Sequence, residues 1–78
     1  MSEFSKLQWR CRRGMKELDI LLSCYLRQHY NETSIDEQQN FQKLLELPDV
    51  DLYAYFIGRE EPTDTRLTIL IEKIRRCL

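Results

Sequence analysis

The sequence predicts an all-α fold, a compact bundle of about five short helices joined by short connections. Three observations predict it. Apolar residues recur three and four positions apart in separate segments, the spacing that gathers side chains on one face of a helix. Between those segments stand helix start and stop residues: Ser34, Leu47-Pro48, Gly58 and Thr63-Asp64. Nowhere does apolar and polar residue alternation run long enough for a strand, and no hairpin dipeptide appears.

The first helix is expected over Ser2 to Arg13, with Phe4, Leu7 and Cys11 forming its stripe. Trp9 lies off that stripe, to pack on a neighbouring helix or to sit beside the basic residues that follow. Met15 to Tyr30 reads as the central helix. Its face is Leu18, Leu21, Leu22, Tyr25 and Leu26, widened by Ile20 and Cys24. Asn31 to Thr33 is a turn. Ser34 then opens a capping box with Glu37, and a third helix runs to about Glu46 with Phe41, Leu44 and Leu45 inward. Pro48 stops it, because the residue before proline avoids the α region. Asp49 is expected to cap a fourth helix over Val50 to Ile57, ended by Gly58. After the charged linker Arg59 to Pro62, a fifth helix starts at Thr63 or Asp64 and buries Leu67, Leu70, Ile71 and Ile74.

At 78 residues, of which 42% are hydrophobic, the chain supports one domain and one small core. A deep enclosed substrate cavity has no room. Twelve Lys and Arg against thirteen Asp and Glu give a net charge of −1, which argues against a dedicated nucleic-acid binder. The three cysteines, Cys11, Cys24 and Cys77, are widely spaced and include no Cys-x-x-Cys, so they read as reduced thiols of a cytoplasmic protein. His29, the only histidine, lacks a partner at ligand spacing and reads as a helix-end or surface residue. No signal peptide is expected, and no run approaches the roughly 20 apolar residues of a membrane span. A nucleophile with a base in reach, a glycine-rich phosphate loop and a metal cluster are all missing from the pattern, so a binding module is favoured over an enzyme.

One stretch breaks the helical patterning without an ordinary loop. Arg10, Arg12, Arg13 and Lys16 set four cations within seven residues, followed at once by Glu17 and Asp19, with Gly14 in the middle. Gly14 can take positive φ or admit another backbone. It is expected to end the first helix and to start the second, with Glu17 reaching back to the free N–H groups of the corner. From these residues alone, Arg13 and Glu17 are a capped corner with solvated charges.

The thirteen residues Leu7 to Asp19, LQWRCRRGMKELD, resemble the signature of the small flavinylation assembly factors of succinate dehydrogenase, bacterial relatives of the mitochondrial assembly factor. The mark is Arg-Gly-x-x-Glu after a tryptophan-bearing helix and before an acidic residue: Trp9, Arg13, Gly14, Glu17 and Asp19. Pro48 to Tyr53 is similar to the family's acidic lead into an aromatic helix. Tyr55 departs from it, since the family often has tryptophan there. The resemblance covers nearly the whole chain. It implies a factor that is not itself a redox enzyme. It implies help in attaching FAD covalently to the flavoprotein subunit of succinate dehydrogenase, and of fumarate reductase where present. FAD would belong to the partner, with no cofactor held stably by this chain. The partner-binding surface it implies is Arg13, Gly14 and Glu17, with Arg10, Arg12, Met15, Lys16 and Asp19 around them, Arg13 and Glu17 pointing outward. A monomer in the cytoplasm is expected. The competing reading is an antitoxin-like regulatory module that binds another protein. A nucleic-acid binder using Arg10 to Lys16 comes third, and the adjacent carboxylates oppose it.

Overall fold

The computed structural model describes residues 3–77. Among them five α-helices follow in order: α1 Glu3–Arg10, α2 Lys16–Gln28, α3 Ile35–Leu45, α4 Asp49–Phe56 and α5 Thr65–Arg75, with a 3-10 turn over Tyr30–Glu32 between α2 and α3. No strand occurs among the described residues. The all-α class and the five-helix order agree with the sequence. Ser2, the expected first residue of the first helix, lies outside the described residues.

The central helix is central in space as well. α2 packs against α1, α4 and α5, and α5 closes the bundle against α3 and α4. The core is the set of faces that the spacing marks: Leu7 on α1 and Cys11 just after it, Leu18, Leu22, Tyr25 and Leu26 on α2, Phe41 and Leu44 on α3, Leu52 and Phe56 on α4, and Leu70, Ile71 and Ile74 on α5. Each fully buried leucine here stabilises the fold by about 2 kcal/mol relative to an exposed one. The Phe41 ring lies between Tyr25 and Tyr30, with centroids 4.8 and 5.6 Å away. The C-terminal segment neither frays nor extends away through residue 75, because its apolar stripe is buried in this core.

Local signals place several helix ends, and away from the α1–α2 corner three departures stand out. Asp64 caps α5 by accepting the Arg66 N–H at 2.9 Å. Gly58 ends α4 with φ +79°, and the next two amides fold back, Gly58 N–H onto the Tyr55 carbonyl and Arg59 N–H onto the Ala54 carbonyl. That pairing satisfies the last carbonyls of the helix and needs the left-handed residue that glycine supplies. The first departure is at Ser34. Its hydroxyl accepts the Glu37 N–H at 3.2 Å as expected, but the Glu37 carboxylate does not return to the cap. It accepts instead from the Tyr25 hydroxyl at 2.5 Å and the Lys73 ammonium at 2.9 Å, so one carboxylate joins α2, α3 and α5.

The second departure is at α4, which begins at Asp49 itself. Pro48 occupies the cap position and the Asp49 carboxylate is used elsewhere. The third is in the apolar faces. Ile20 does not widen the buried face of α2; it is 45% exposed, and Trp9 is 63% exposed. Spacing marks Ile20 as a candidate for burial and size marks Trp9, but among the described residues neither is covered.

Burial alone would raise the Glu37 carboxyl, yet the Tyr25 and Lys73 hydrogen bonds outweigh it and hold the group below its ordinary value of 4.5. A depressed carboxyl stabilises the fold fully above its unfolded value and loses that contribution as pH falls through the folded one. Thermal melts from pH 7 to pH 3 should therefore show an acid limb that Glu37→Gln flattens. Equal acid slopes in the two proteins would show that this carboxylate is not bound as described.

Candidate interaction site

The corner between α1 and α2 is braced by two carbonyls, two aspartates and one arginine. α1 ends at Arg10, and the chain makes one further turn through Cys11 N–H to the Leu7 carbonyl and Arg12 N–H to the Trp9 carbonyl. Cys11 is fully buried and anchors this exit. Burial pushes its thiol up to about 11 against the nearby Arg13 charge, so it stays protonated at neutral pH.

Arg13 then turns inward. Its side chain is only 14% exposed. One guanidinium nitrogen, Nη1, donates to the Leu47 carbonyl at 3.3 Å and lies 3.4 Å from Asp49 Oδ1. The other, Nη2, donates to the Leu45 carbonyl. Leu45 is the last residue of α3, so Arg13 satisfies carbonyls that a helix C-terminus leaves without intrahelical donors. A cation there also suits the negative end of the helix dipole. Its Nε is buried without a hydrogen-bond partner.

Asp49 completes the brace. As the first residue of α4 it places a carboxylate where the helix dipole favours negative charge. Oδ1 faces Arg13, and Oδ2 accepts the Gly14 N–H at 3.2 Å. From the other side, Asp19 Oδ1 accepts the Arg13 N–H at 2.9 Å. Two successive amides of the corner are thus held by carboxylates from two helices, and the guanidinium between them locks onto the α3–α4 junction.

This arrangement corrects several sequence expectations. Arg13 does not display its guanidinium outward; unsatisfied carbonyls at the end of α3 and the Asp49 carboxylate draw it in. Gly14 does not adopt positive φ, which among the described residues only Gly58 does. Gly14 is not the cap of α2 either: Met15 is, in extended conformation and with no side-chain cap. Asp19, rather than Glu17, reaches back to the corner. Glu17 is exposed, together with Gly14, Lys16, Arg10 and Arg12. Met15 is partly buried against the core. Arg10 donates to the Gln42 carbonyl at 3.2 Å, and the Arg12 guanidinium lies over the Trp9 ring at 5.3 Å. Of the two placements open to Trp9, the structure shows the one beside the basic residues. The role of Asp49 was missed because its position before an aromatic helix looks like an ordinary cap; only the fold brings it to Gly14.

A glycine at an exposed corner invites a steric test. A Cβ built on Gly14 would meet only Asp49 Oδ2, at 3.7 Å, an ordinary contact. The chain's own packing therefore leaves room for a side chain there. Among the described residues no group of His, Cys, Asp and Glu is arranged to hold a metal ion, and no helix is long and apolar enough to cross a membrane.

Fold and corner define a class: a small five-helix protein whose first interhelical connection is braced from behind, leaving a glycine and a glutamate on its outer side. A family model described as the flavinator of succinate dehydrogenase matches residues 5–78, and the chain belongs to that family. It is similar to the FAD assembly factor SdhE of Methylococcus capsulatus, 43% identical over 96% of this chain and 90% of that one. The protein of the same name from Pseudomonas aeruginosa is 38% identical over 94% and 87% of the two chains. That of Pasteurella multocida is 35% identical over 100% and 95%.

The geometry separates bracing from display, and stability measurements can check the separation. Arg13→Met should lower unfolding stability by about 2 kcal/mol, because it leaves buried carbonyls and Asp49 without their donor. For a domain of this size that is a fall of about 10 °C in Tm. Glu17→Ala, at an exposed position, should change stability by less than about 0.5 kcal/mol. Urea titrations giving equal losses for both would contradict the assignment.

Proposed function

We propose that this chain is an assembly factor that promotes covalent attachment of FAD to the flavoprotein subunit of succinate dehydrogenase, and of fumarate reductase where present, by docking its Gly14 corner on that subunit. Membership of the flavinator family and the assembly-factor names of its relatives support the role. The observation that carries the docking surface is Gly14: an exposed glycine whose missing Cβ its own fold does not require, on a backbone held by Asp49 and Asp19. Bare backbone on a rigid corner suits close approach by another protein.

In this reading the chain supplies no reacting group. The bond to be formed joins a histidine nitrogen of the flavoprotein subunit to the 8α carbon of the isoalloxazine ring; an N–H and an 8α C–H bond break, the flavin ring takes up the two electrons, and every reacting group belongs to the partner complex. Glu17 makes charge-assisted hydrogen bonds to the partner, stronger than neutral ones. Arg10, Arg12 and Lys16 steer an acidic partner surface during encounter. Arg13 is a positioning residue that fixes the height and angle of Gly14. Docking favours the arrangement in which histidine and flavin are aligned, and alignment does the chemical work. The factor acts in the cytoplasm as a monomer and is not itself the catalyst.

Co-expression with the flavoprotein subunit, followed by denaturing electrophoresis and flavin fluorescence in the band, tests this. Gly14→Arg should keep the melting temperature of the free factor, since there is space for the side chain. It should lower covalent flavin about tenfold, the effect of losing about 1.4 kcal/mol of binding. Undiminished covalent flavin with a folded Gly14→Arg factor would overturn the proposal.

A further inference from the structure

Beside the corner lies an open groove of about 670 Å³, lined by residues of α1 and α2. Its walls are Gln8 and Trp9 from α1 and Asp19, Ile20 and Arg27 from α2, with Arg12 at the corner end. Two of these residues, Trp9 and Ile20, are large and apolar, and both are exposed, although Leu18, Leu22, Tyr25 and Leu26 of α2 are buried. The charged groups are unevenly committed. Asp19 already accepts the Arg13 N–H. Arg12 lies over the Trp9 ring, and Arg27 donates to the Ser23 carbonyl at 3.3 Å. Among the described residues neither arginine is in a salt bridge, whereas Arg13, Arg66, Lys73 and Arg75 all are.

We infer that this groove is a second contact surface for the same flavoprotein partner, and that it takes a segment carrying an aliphatic or aromatic side chain flanked by a carboxylate. The inference rests on the docking role proposed for the corner. Two features of the groove name that chemistry. Trp9 and Ile20 offer an aromatic face and an aliphatic wall for one apolar side chain, the kind of anchor on which interfaces concentrate their binding. Arg12 and Arg27 offer guanidinium forks that match a carboxylate in two parallel hydrogen bonds. Position argues for the same partner. Arg12 and Asp19 line the groove and also bound the corner, so a protein seated on Gly14 and Glu17 reaches the groove without a gap. A contact on both sides of the corner fixes the rotation of the factor on its partner, which one charged point cannot do.

Trp9 is the only tryptophan in the chain, which makes the test direct. The factor labelled with 5-fluorotryptophan gives one fluorine resonance, titrated with the unlabelled flavoprotein subunit lacking covalent flavin. The solvent-isotope shift of that resonance should be present in the free factor and lost in the complex. In parallel, calorimetry with the same subunit compares Trp9→Ser, Ile20→Gln and Glu17→Arg, each checked for an unchanged melting temperature. The groove variants should each weaken binding tenfold or more, and raising salt should weaken the unaltered factor more than Arg12→Gln/Arg27→Gln. Full affinity in both groove variants beside loss in Glu17→Arg would overturn the inference and leave the corner reading standing. Full affinity in all three would overturn both. A concentration-dependent dimer of the free factor that Trp9→Ser abolishes would assign the groove to a second copy and also overturn it.

Discussion

The Arg13 guanidinium is the interaction on which the rest of the corner depends. Helix ends leave carbonyls unpaired, and the end of α3 is partly covered by the α1–α2 connection, where water is not free to satisfy them. One side chain from that connection satisfies two of them and meets Asp49 as well. The same contact therefore closes α3, orients the start of α4 and fixes the chain between α1 and α2. Removing its charge would leave acceptors buried, and a buried acceptor without a donor costs more than the net value of the bond it lost.

An arginine beside a glycine in an exposed, highly charged stretch looks like a hand held out to a partner. The structure divides that stretch into an inner and an outer part. The inner part is Arg13 with its aspartates; the outer part is Gly14, Lys16 and Glu17. Loss of function on substitution would have different causes in the two parts, one through the shape of the corner and the other through contact. Function data alone would merge them, and the motif would look uniform.

The helices were legible because each buries one face and each face repeats at helical spacing. Leu18, Leu22, Tyr25 and Leu26 are buried as their spacing requires, and Gly58 and Asp64 end and start helices by local chemistry. What could not be read were choices that depend on distant residues. Glu37 sits three positions after Ser34 and suits a reciprocal cap, yet Tyr25 and Lys73 arrive from other helices and take its carboxylate. Asp49 likewise leaves its own helix end for Gly14 and Arg13. Ile20 and Trp9 carry burial signals, but whether a helix covers them is a property of the tertiary arrangement. In each case a side chain that could satisfy a local rule meets a stronger partner that folding brings close, or meets none.

The braced corner makes the Gly14 amide proton the most direct reporter. It lies at an exposed residue outside any helix, where a free amide would exchange within the dead time of the experiment, yet it donates to Asp49 Oδ2. Hydrogen exchange followed by nuclear magnetic resonance should find it protected in the unaltered protein, and unprotected in Asp49→Ala while the α2 amides stay protected. A Gly14 amide that exchanges freely in the unaltered protein would contradict the brace and the rigid display built on it.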